Sequence, residues 1–93
     1  MQLHFIANAP VPSTSGRTIP VIDPSDGQPF DEIQRGTAED IDAAVHAARQ
    51  CYHAVWQKMA PADRGRLLHK LSAKILEHAD ELTALERRDC GKP

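Results

Sequence analysis

Aromatic side chains are scarce in this sequence, and long apolar runs are absent from it. Of the 93 residues only 4% are aromatic, with one Trp, one Tyr and two Phe. The apolar content depends instead on Ala and Leu, which suit close helix packing but bury little area per residue. We therefore expect a thin hydrophobic core if the chain stands alone. No segment reaches the length needed to span a bilayer, so we expect no membrane contact.

A strong excess of charge of either sign is also missing. The 11 Lys and Arg residues oppose 13 Asp and Glu residues, for a net charge of −2. Such a balance provides no long-range field toward nucleic acid. The first residues lack a basic stretch followed by a long apolar run, so we expect no signal peptide. The two cysteines, Cys51 and Cys90, are then expected as reduced thiols in a cytoplasmic protein.

A helical pattern extends over residues 37–90. Thr37 can cap the first turn through its hydroxyl, and the acidic residues that follow it complement the helix dipole. Apolar residues then recur at helical spacing on one side: Ile41, Ala44, Val45, Ala48, Cys51, Tyr52, Val55 and Trp56. A break is predicted at residues 60–61, because Pro61 suits the first position of a new helix.

A second apolar stripe follows this break, formed by Leu67, Leu68, Leu71, Ile75, Leu82 and Leu85. Residues 77–80 predict a kink or a cap within it. Gly91 ends the last helix, and Pro93 prevents its continuation. We expect that the chain cannot cover these two stripes with its own atoms. The side chains that test this expectation are Ile41, Val45, Trp56, Leu68 and Leu71.

Short strand-like runs separated by turn residues occupy residues 1–36. The runs cover residues 3–6, 17–22 and 28–34. Asp23-Pro24-Ser25-Asp26-Gly27 is a strong turn signal between the last two, because Pro24 fixes its φ and Gly27 tolerates a left-handed conformation. A lone ribbon is only marginally stable in water, so it needs a surface to lie on. The predicted fold is a β-ribbon over residues 1–36 followed by a helical hairpin over residues 37–93.

No stretch of the sequence assembles a catalytic site. His46 and His53 would share a helix face, but two turns is too far apart for both to bind one zinc ion. Cys90 has basic neighbours, which favour its thiolate, but the C-terminal end of a helix disfavours it. No histidine lies nearby to act as its base, so catalysis by Cys90 is not expected. A redox-sensing thiol at Cys90 is an alternative.

Several motifs occur in order along the chain: Val-Ile-Asp-Pro-Ser-Asp-Gly at 21–27, Thr-Ala-Glu-Asp-Ile-Asp-Ala-Ala-Val-His-Ala-Ala-Arg at 37–49, Trp56, Pro-Ala-Asp-Arg-Gly-Arg-Leu-Leu at 61–68, Asp-Glu-Leu-Thr-Ala-Leu-Glu at 80–86 and Asp-Cys-Gly-Lys-Pro at 89–93. In this order they resemble the N-terminal start of the aldehyde dehydrogenase superfamily. The last motif is similar to the family's Asp-Thr-Gly-Lys-Pro. The chain departs from the family pattern at Asp23 for Asn, Ala60 for Ser and Cys90 for Thr.

The resemblance implies an α/β fold with a Rossmann-type cofactor domain, of which this chain would supply the first β-ribbon and helices. It also implies NAD(P)-dependent oxidation of an aldehyde to a carboxylic acid. In the family a cysteine thiolate adds to the carbonyl, and a glutamate activates the water that releases the acyl group. Those residues and the glycine-rich cofactor contacts would lie beyond Pro93, and Cys90 does not occupy the nucleophile's position. We therefore expect an inactive N-terminal fragment with no catalytic residue and no binding of NAD or NADP by this chain alone.

One ion site would be partly represented under this resemblance. Several family members hold K⁺ or Na⁺ with backbone carbonyls in the strand before the turn and with the aspartate of the last motif. By position these ligands are Val21, Ile22 and Asp89. Carbonyl and carboxylate oxygens suit a hard cation. The alternative is that Asp89 caps the helix or pairs with Arg87 or Lys92.

The partners implied by the resemblance are the remainder of the aldehyde dehydrogenase fold and, for the parent enzyme, further copies in a homo-oligomer. On this interpretation residues 1–36 and 37–93 both belong to the N-terminal portion of one larger cofactor-binding domain. The competing interpretation is a small free-standing helical module that uses its 41–56 face to bind a partner protein.

Overall fold

Four short β-strands precede three α-helices in the computed structural model, which describes residues 1–91. The elements are β1 (His4–Ile6), β2 (Ala9–Val11), β3 (Thr18–Ile22), β4 (Pro29–Gln34), α1 (Ala38–Ala54), α2 (Pro61–Glu77) and α3 (Ala79–Cys90). Strands β1 and β2 form one antiparallel hairpin, and β3 and β4 form a second. The predicted order of a β segment followed by helices is confirmed.

The β3–β4 ribbon turns at residues 23–27, as the sequence predicts. Asp23 Oδ1 accepts hydrogen bonds from the N–H and the hydroxyl of Ser25, at 2.8 and 2.7 Å. Gly27 has a φ of 71° and donates its N–H to the Asp23 carbonyl at 2.8 Å. An L side chain rarely adopts this φ, so glycine suits the position. The turn is therefore specified by its own residues.

The β1–β2 hairpin corrects the interpretation of residues 8–13 as a turn segment. Ala7 and Asn8 have φ angles of 52° and 63° and form its two-residue loop. Such loops with two positive φ angles match the twist of the flanking strands, and asparagine favours them. Pro10 lies within β2 opposite Phe5. An edge strand tolerates its missing N–H, which is why this proline did not prevent strand formation.

Helix α1 begins with a capping box. Thr37 Oγ1 accepts from the Asp40 N–H at 3.2 Å, and Asp40 Oδ2 accepts from the Thr37 N–H at 2.9 Å. These reciprocal bonds satisfy donors that every helix leaves unpaired at its start. The helix ends at Ala54, and a short 3₁₀ turn at Trp56–Lys58 follows. The apolar pattern that continues to Trp56 thus extends past the α-helix itself.

The later helix boundaries agree with the sequence. Pro61 occupies the first position of α2, after an extended Ala60 that provides no side-chain cap. His78 separates α2 from α3. Gly91 adopts a left-handed φ of 70° and donates its N–H to the Arg87 carbonyl at 2.8 Å. Lys92 and Pro93, which were expected to flank and stop the last helix, lie outside the described residues.

No apolar side chain within residues 1–91 is buried. Ile41, Leu68 and Leu71 are 60%, 59% and 56% exposed, and Val45 is also exposed. Trp56 is half-buried. The expectation that the chain leaves its apolar stripes uncovered is confirmed.

The dimensions of the molecule agree with this exposure. Its radius of gyration is 16.8 Å, whereas a compact domain of this length would have about 12 Å. Its accessible surface is 7520 Å², against about 5400 Å² for a compact protein of this mass. None of the helices formed by the described residues is both long and apolar enough to cross a bilayer.

The isolated 93-residue chain is expected to unfold over a broad temperature range and to bind a hydrophobic dye, because its apolar stripes have no cover. Circular dichroism during heating checks the transition, and dye fluorescence on the same sample checks the exposure. A sharp cooperative transition at low protein concentration without dye fluorescence would contradict this expectation.

Candidate functional site

A buried polar cluster joins the N-terminal segment to helix α1. Its buried members are Ser13, Gln34 and Asp40, and Asp40 is only 6% exposed. Asp40 Oδ2 lies 2.9 Å from Ser13 Oγ, and Asp40 Oδ1 accepts from the Thr14 N–H at 3.2 Å. The Ser13 N–H donates to Gln34 Oε1 at 2.7 Å. Residues 13 and 14 are therefore held both by the carboxylate of Asp40 and by the side chain of Gln34.

The surroundings of Asp40 keep its carboxylate ionised. Burial raises the pKa of Asp40, but hydrogen bonds from the Thr37 and Thr14 amides and from Ser13 outweigh burial and hold the pKa well below its ordinary value. His4 Nε2 lies 3.4 Å from Asp40 Oδ2, buried and outside hydrogen-bond geometry. A general base needs a pKa close to the working pH and access to its proton. Asp40 has neither, so this cluster is suited to holding the segment together.

The Asp40 carboxylate also determines whether the start of α1 can bind the phosphates of NAD or NADP. Dinucleotide phosphates bind at helix N-termini where free N–H groups and the dipole favour an anion. In α1 that position is already filled by the Asp40 carboxylate, which accepts from the Thr37 N–H. A phosphate would meet a negative charge there. The residues at the start of α1 therefore do not fit a dinucleotide phosphate.

A groove of about 590 Å³ runs between the β3–β4 ribbon and α3. Its apolar lining comes from both sides and comprises Val21, Phe30, Ile33, Leu82 and Leu85. Four carboxylates also line it: Asp31, Glu81, Glu86 and Asp89. Asp31 accepts a hydrogen bond from the Glu32 N–H, pairs with the Met1 amine and contacts Gln2. Together these three contacts lower the pKa of Asp31 to about 2. The groove is thus open, part apolar and part acidic.

The structure places Val21 and Asp89 on this groove. Ile22 follows Val21 in β3, and the ladder register shifts between the two residues. Pro29 stands opposite Ile22 and has no N–H to donate to the ladder. Within residues 1–91, Asp89 forms no ion pair with Arg87. Lys92, the other partner considered for Asp89, lies outside that range.

The remaining candidates are dispersed. Among residues 1–91, no three His, Cys, Asp or Glu side chains converge as a metal site would require. Cys51, placed by its spacing on the apolar side of α1, is exposed. Cys90 Sγ lies 3.4 Å from Glu86 Oε1 and 3.9 Å from Asp89 Oδ2. The Cys90 thiol therefore lies beside two carboxylates of its own helix, although Arg87 and Arg88 are close to it in the sequence.

Two features of the site escaped sequence reasoning. From the sequence, Asp40 is predicted only to interact with the helix dipole. No tertiary contact is predicted for Arg88. In the structure Asp40 is the centre of the polar cluster, and Arg88 lies over the ring of Phe30. The pattern Thr37-x-x-Asp40 is a capping-box signal that could have indicated the role of Asp40. The contact of Arg88 with Phe30 depends on tertiary packing, which no local spacing shows.

Comparison with known proteins extends over almost the whole chain. The model of the aldehyde dehydrogenase family matches residues 11–93. An aldehyde dehydrogenase [NAD(P)+] 1 from Saccharomyces cerevisiae is 42% identical over 89 residues, covering 96% of this chain and 18% of that protein. An aldehyde dehydrogenase from Enchytraeus buchholzi is 46% identical over 91 residues, with the same two coverages.

A solved structure matches equally well. A betaine aldehyde dehydrogenase variant from Staphylococcus aureus, solved with NAD⁺, has a TM-score of 0.92 at 30% identity, covering 98% of this chain and 19% of its own. The chain therefore spans less than a fifth of the length of these relatives. The S. cerevisiae relative is named for NAD(P)+, and the S. aureus structure contains NAD⁺.

Asp40 is expected to stabilise the folded segment in a pH-dependent way. Because its folded pKa is depressed, the stabilisation is present above about pH 4, where an unfolded aspartate ionises, and is lost as the pH falls through the folded pKa. Asp40→Asn should lower the thermal midpoint near neutral pH, by an amount that shrinks on acidification. The measurement uses a chimera in which residues 1–93 replace the matching segment of the S. cerevisiae relative.

Asp42→Asn is the matched control for this experiment. Asp42 lies exposed in the same helix and has no hydrogen bond or ion pair with another side chain of the described range. Its substitution should leave the midpoint near neutral pH unchanged. A loss for Asp40→Asn that is equally large at every pH would refute the pKa argument.

Proposed function

Because the chain belongs to the aldehyde dehydrogenase family, as an N-terminal segment of its fold, we propose that it forms part of an enzyme that oxidises an aldehyde to a carboxylic acid with NAD or NADP. Its own contribution is structural. The observation that carries this proposal is the exposure of large apolar side chains such as Ile41 and Leu71, in a chain whose relatives are about five times as long.

The partner of these stripes, on this proposal, is the remainder of the same fold. We assign residues 1–36 and residues 37–93 to one larger cofactor-binding domain. The Asp40 cluster and the contact of Arg88 with Phe30 support this assignment, because each joins the β segment to a helix. The homo-oligomer and the cytoplasmic location stay predictions.

The free-standing interaction module is not favoured. A module that folds alone needs its own hydrophobic core, and no apolar side chain of residues 1–91 is buried. The chain also matches longer enzymes over almost its whole length.

No NADH is expected when the isolated chain is incubated with an aldehyde and NAD⁺, because the nucleophile implied by the family would lie beyond Pro93 and the start of α1 does not fit a dinucleotide phosphate. The chimera with the S. cerevisiae relative should turn over aldehyde within about tenfold of that relative, since similar apolar side chains repack at the interface. Absorbance of NADH measures both. Turnover by the isolated chain, or an inactive chimera, would overturn the proposal.

A matched pair of substitutions in the chimera tests the stripe itself. Leu71→Asp places a charge where we propose an interface and should reduce activity by at least about tenfold, since burying an unpaired charge is costly. Lys70→Asp introduces the same group one residue away, on the solvated side, and should have little effect. If the two substitutions reduced the activity equally, the apolar stripe would no longer support the proposed interface.

The groove beside α3 supports a second part of the proposal, a monovalent cation held by the carbonyls of Val21 and Ile22 and by the carboxylate of Asp89. Val21 and Asp89 line the same groove, and the ladder register shifts between Val21 and Ile22. Further carboxylates on the groove favour a positive ion. A hydrated K⁺ or Na⁺ suits such oxygen ligands.

Potassium should raise the thermal midpoint of the chimera by several degrees relative to tetramethylammonium at equal ionic strength, because a ligand that binds only the folded state stabilises it. Asp89→Ala should abolish this difference. Asp80→Ala, at the exposed start of the same helix, should preserve it. A potassium effect that survives Asp89→Ala would contradict the assignment.

A further inference from the structure

The last turn of α3 is fastened to the β3–β4 ribbon. The guanidinium carbon of Arg88 lies 4.6 Å from the centre of the Phe30 ring, a cation–π distance. Phe30 belongs to β4. Arg88 therefore joins the end of α3 to that strand.

Gly91 brings the two segments into close contact. Its φ of 70° already favours glycine. In addition, a Cβ atom at this position would lie 2.9 Å from Pro24 Cγ, closer than such atoms normally approach. The end of α3 thus rests directly on the turn of the ribbon.

These contacts involve sequence neighbours of the proposed cation ligands. Asp89 lies between Arg88 and Gly91 in the sequence, and Val21 and Ile22 directly precede Asp23. Before the carboxylate, Arg88 contacts β4. After it, Gly91 lies against Pro24 in the turn that follows the two carbonyls. Any loosening of α3 from the ribbon would change the distance between the ligands.

We infer that Arg88 is a positioning residue for the cation site, holding Asp89 at a fixed distance from the carbonyls of Val21 and Ile22 through its contact with Phe30. This inference rests on the proposed cation site. A guanidinium close to a bound cation would repel it, whereas its contact with Phe30 would keep the ligands in place. The two effects predict opposite outcomes when Arg88 is removed.

The experiment measures the potassium concentration that gives half of the thermal stabilisation of the chimera. Arg88→Ala should raise this concentration about five-fold, the factor expected from losing one cation–π contact. Arg88→Lys retains the charge over the ring and should recover part of the loss. Arg87→Ala removes the same kind of side chain one position earlier and should leave the value unchanged. An unchanged or lower concentration for Arg88→Ala would overturn the inference.

A second readout separates this inference from the cation proposal. Thermal midpoints in tetramethylammonium chloride are compared for Arg88→Ala, Phe30→Leu and the double variant. If Arg88 acts through Phe30, the two losses will be less than additive, because removing either partner already breaks the contact. Additive losses would overturn the fastening of α3 even if potassium binds. A chimera with no potassium response but non-additive losses would refute the cation site and leave the fastening intact.

Discussion

Large apolar side chains are exposed on every α-helix, and this constraint determines what the molecule can do. The accessible surface exceeds that of a compact protein of this mass by roughly 2000 Å². If about half of that excess is apolar, covering it is worth on the order of 25 kcal/mol. A whole domain is typically stable by only 5–15 kcal/mol. The free energy available from covering the stripes is therefore larger than the stability that a whole domain typically has.

What the segment does satisfy internally is polar. Asp40 connects Ser13, Thr14 and Thr37, and the hairpin and the helix share its two oxygens. Hydrogen bonds of this kind fix geometry well, but folding exchanges them for bonds to water, so their net contribution to stability is modest. The chain can thus prescribe how its own elements are oriented while depending on other atoms for the energy that holds them.

Elements with a local signal were predictable from the sequence. Pro61 and Gly91 mark helix ends because their backbone preferences act at a single residue. The β1–β2 hairpin was not predictable, since Pro10 argues against a strand and the alanine at position 7 is unusual at positive φ. The contact of Arg88 with Phe30 joins residues 58 positions apart in the chain, and no periodicity connects them. The proposed ion ligands follow from family resemblance, because no local spacing or charge pattern indicates them.

The thickness of the molecule explains why its stripes all lack a partner. Its extents are 48 × 34 × 15 Å, so its thickness is under a third of its length. A domain core forms only between packed layers, and no apolar side chain of residues 1–91 is buried in such a core. The Asp40 cluster and the contact of Arg88 with Phe30 join the β segment to α1 and α3, which orients these elements without covering their apolar faces. On the proposed function, that cover comes from the remainder of the aldehyde dehydrogenase fold.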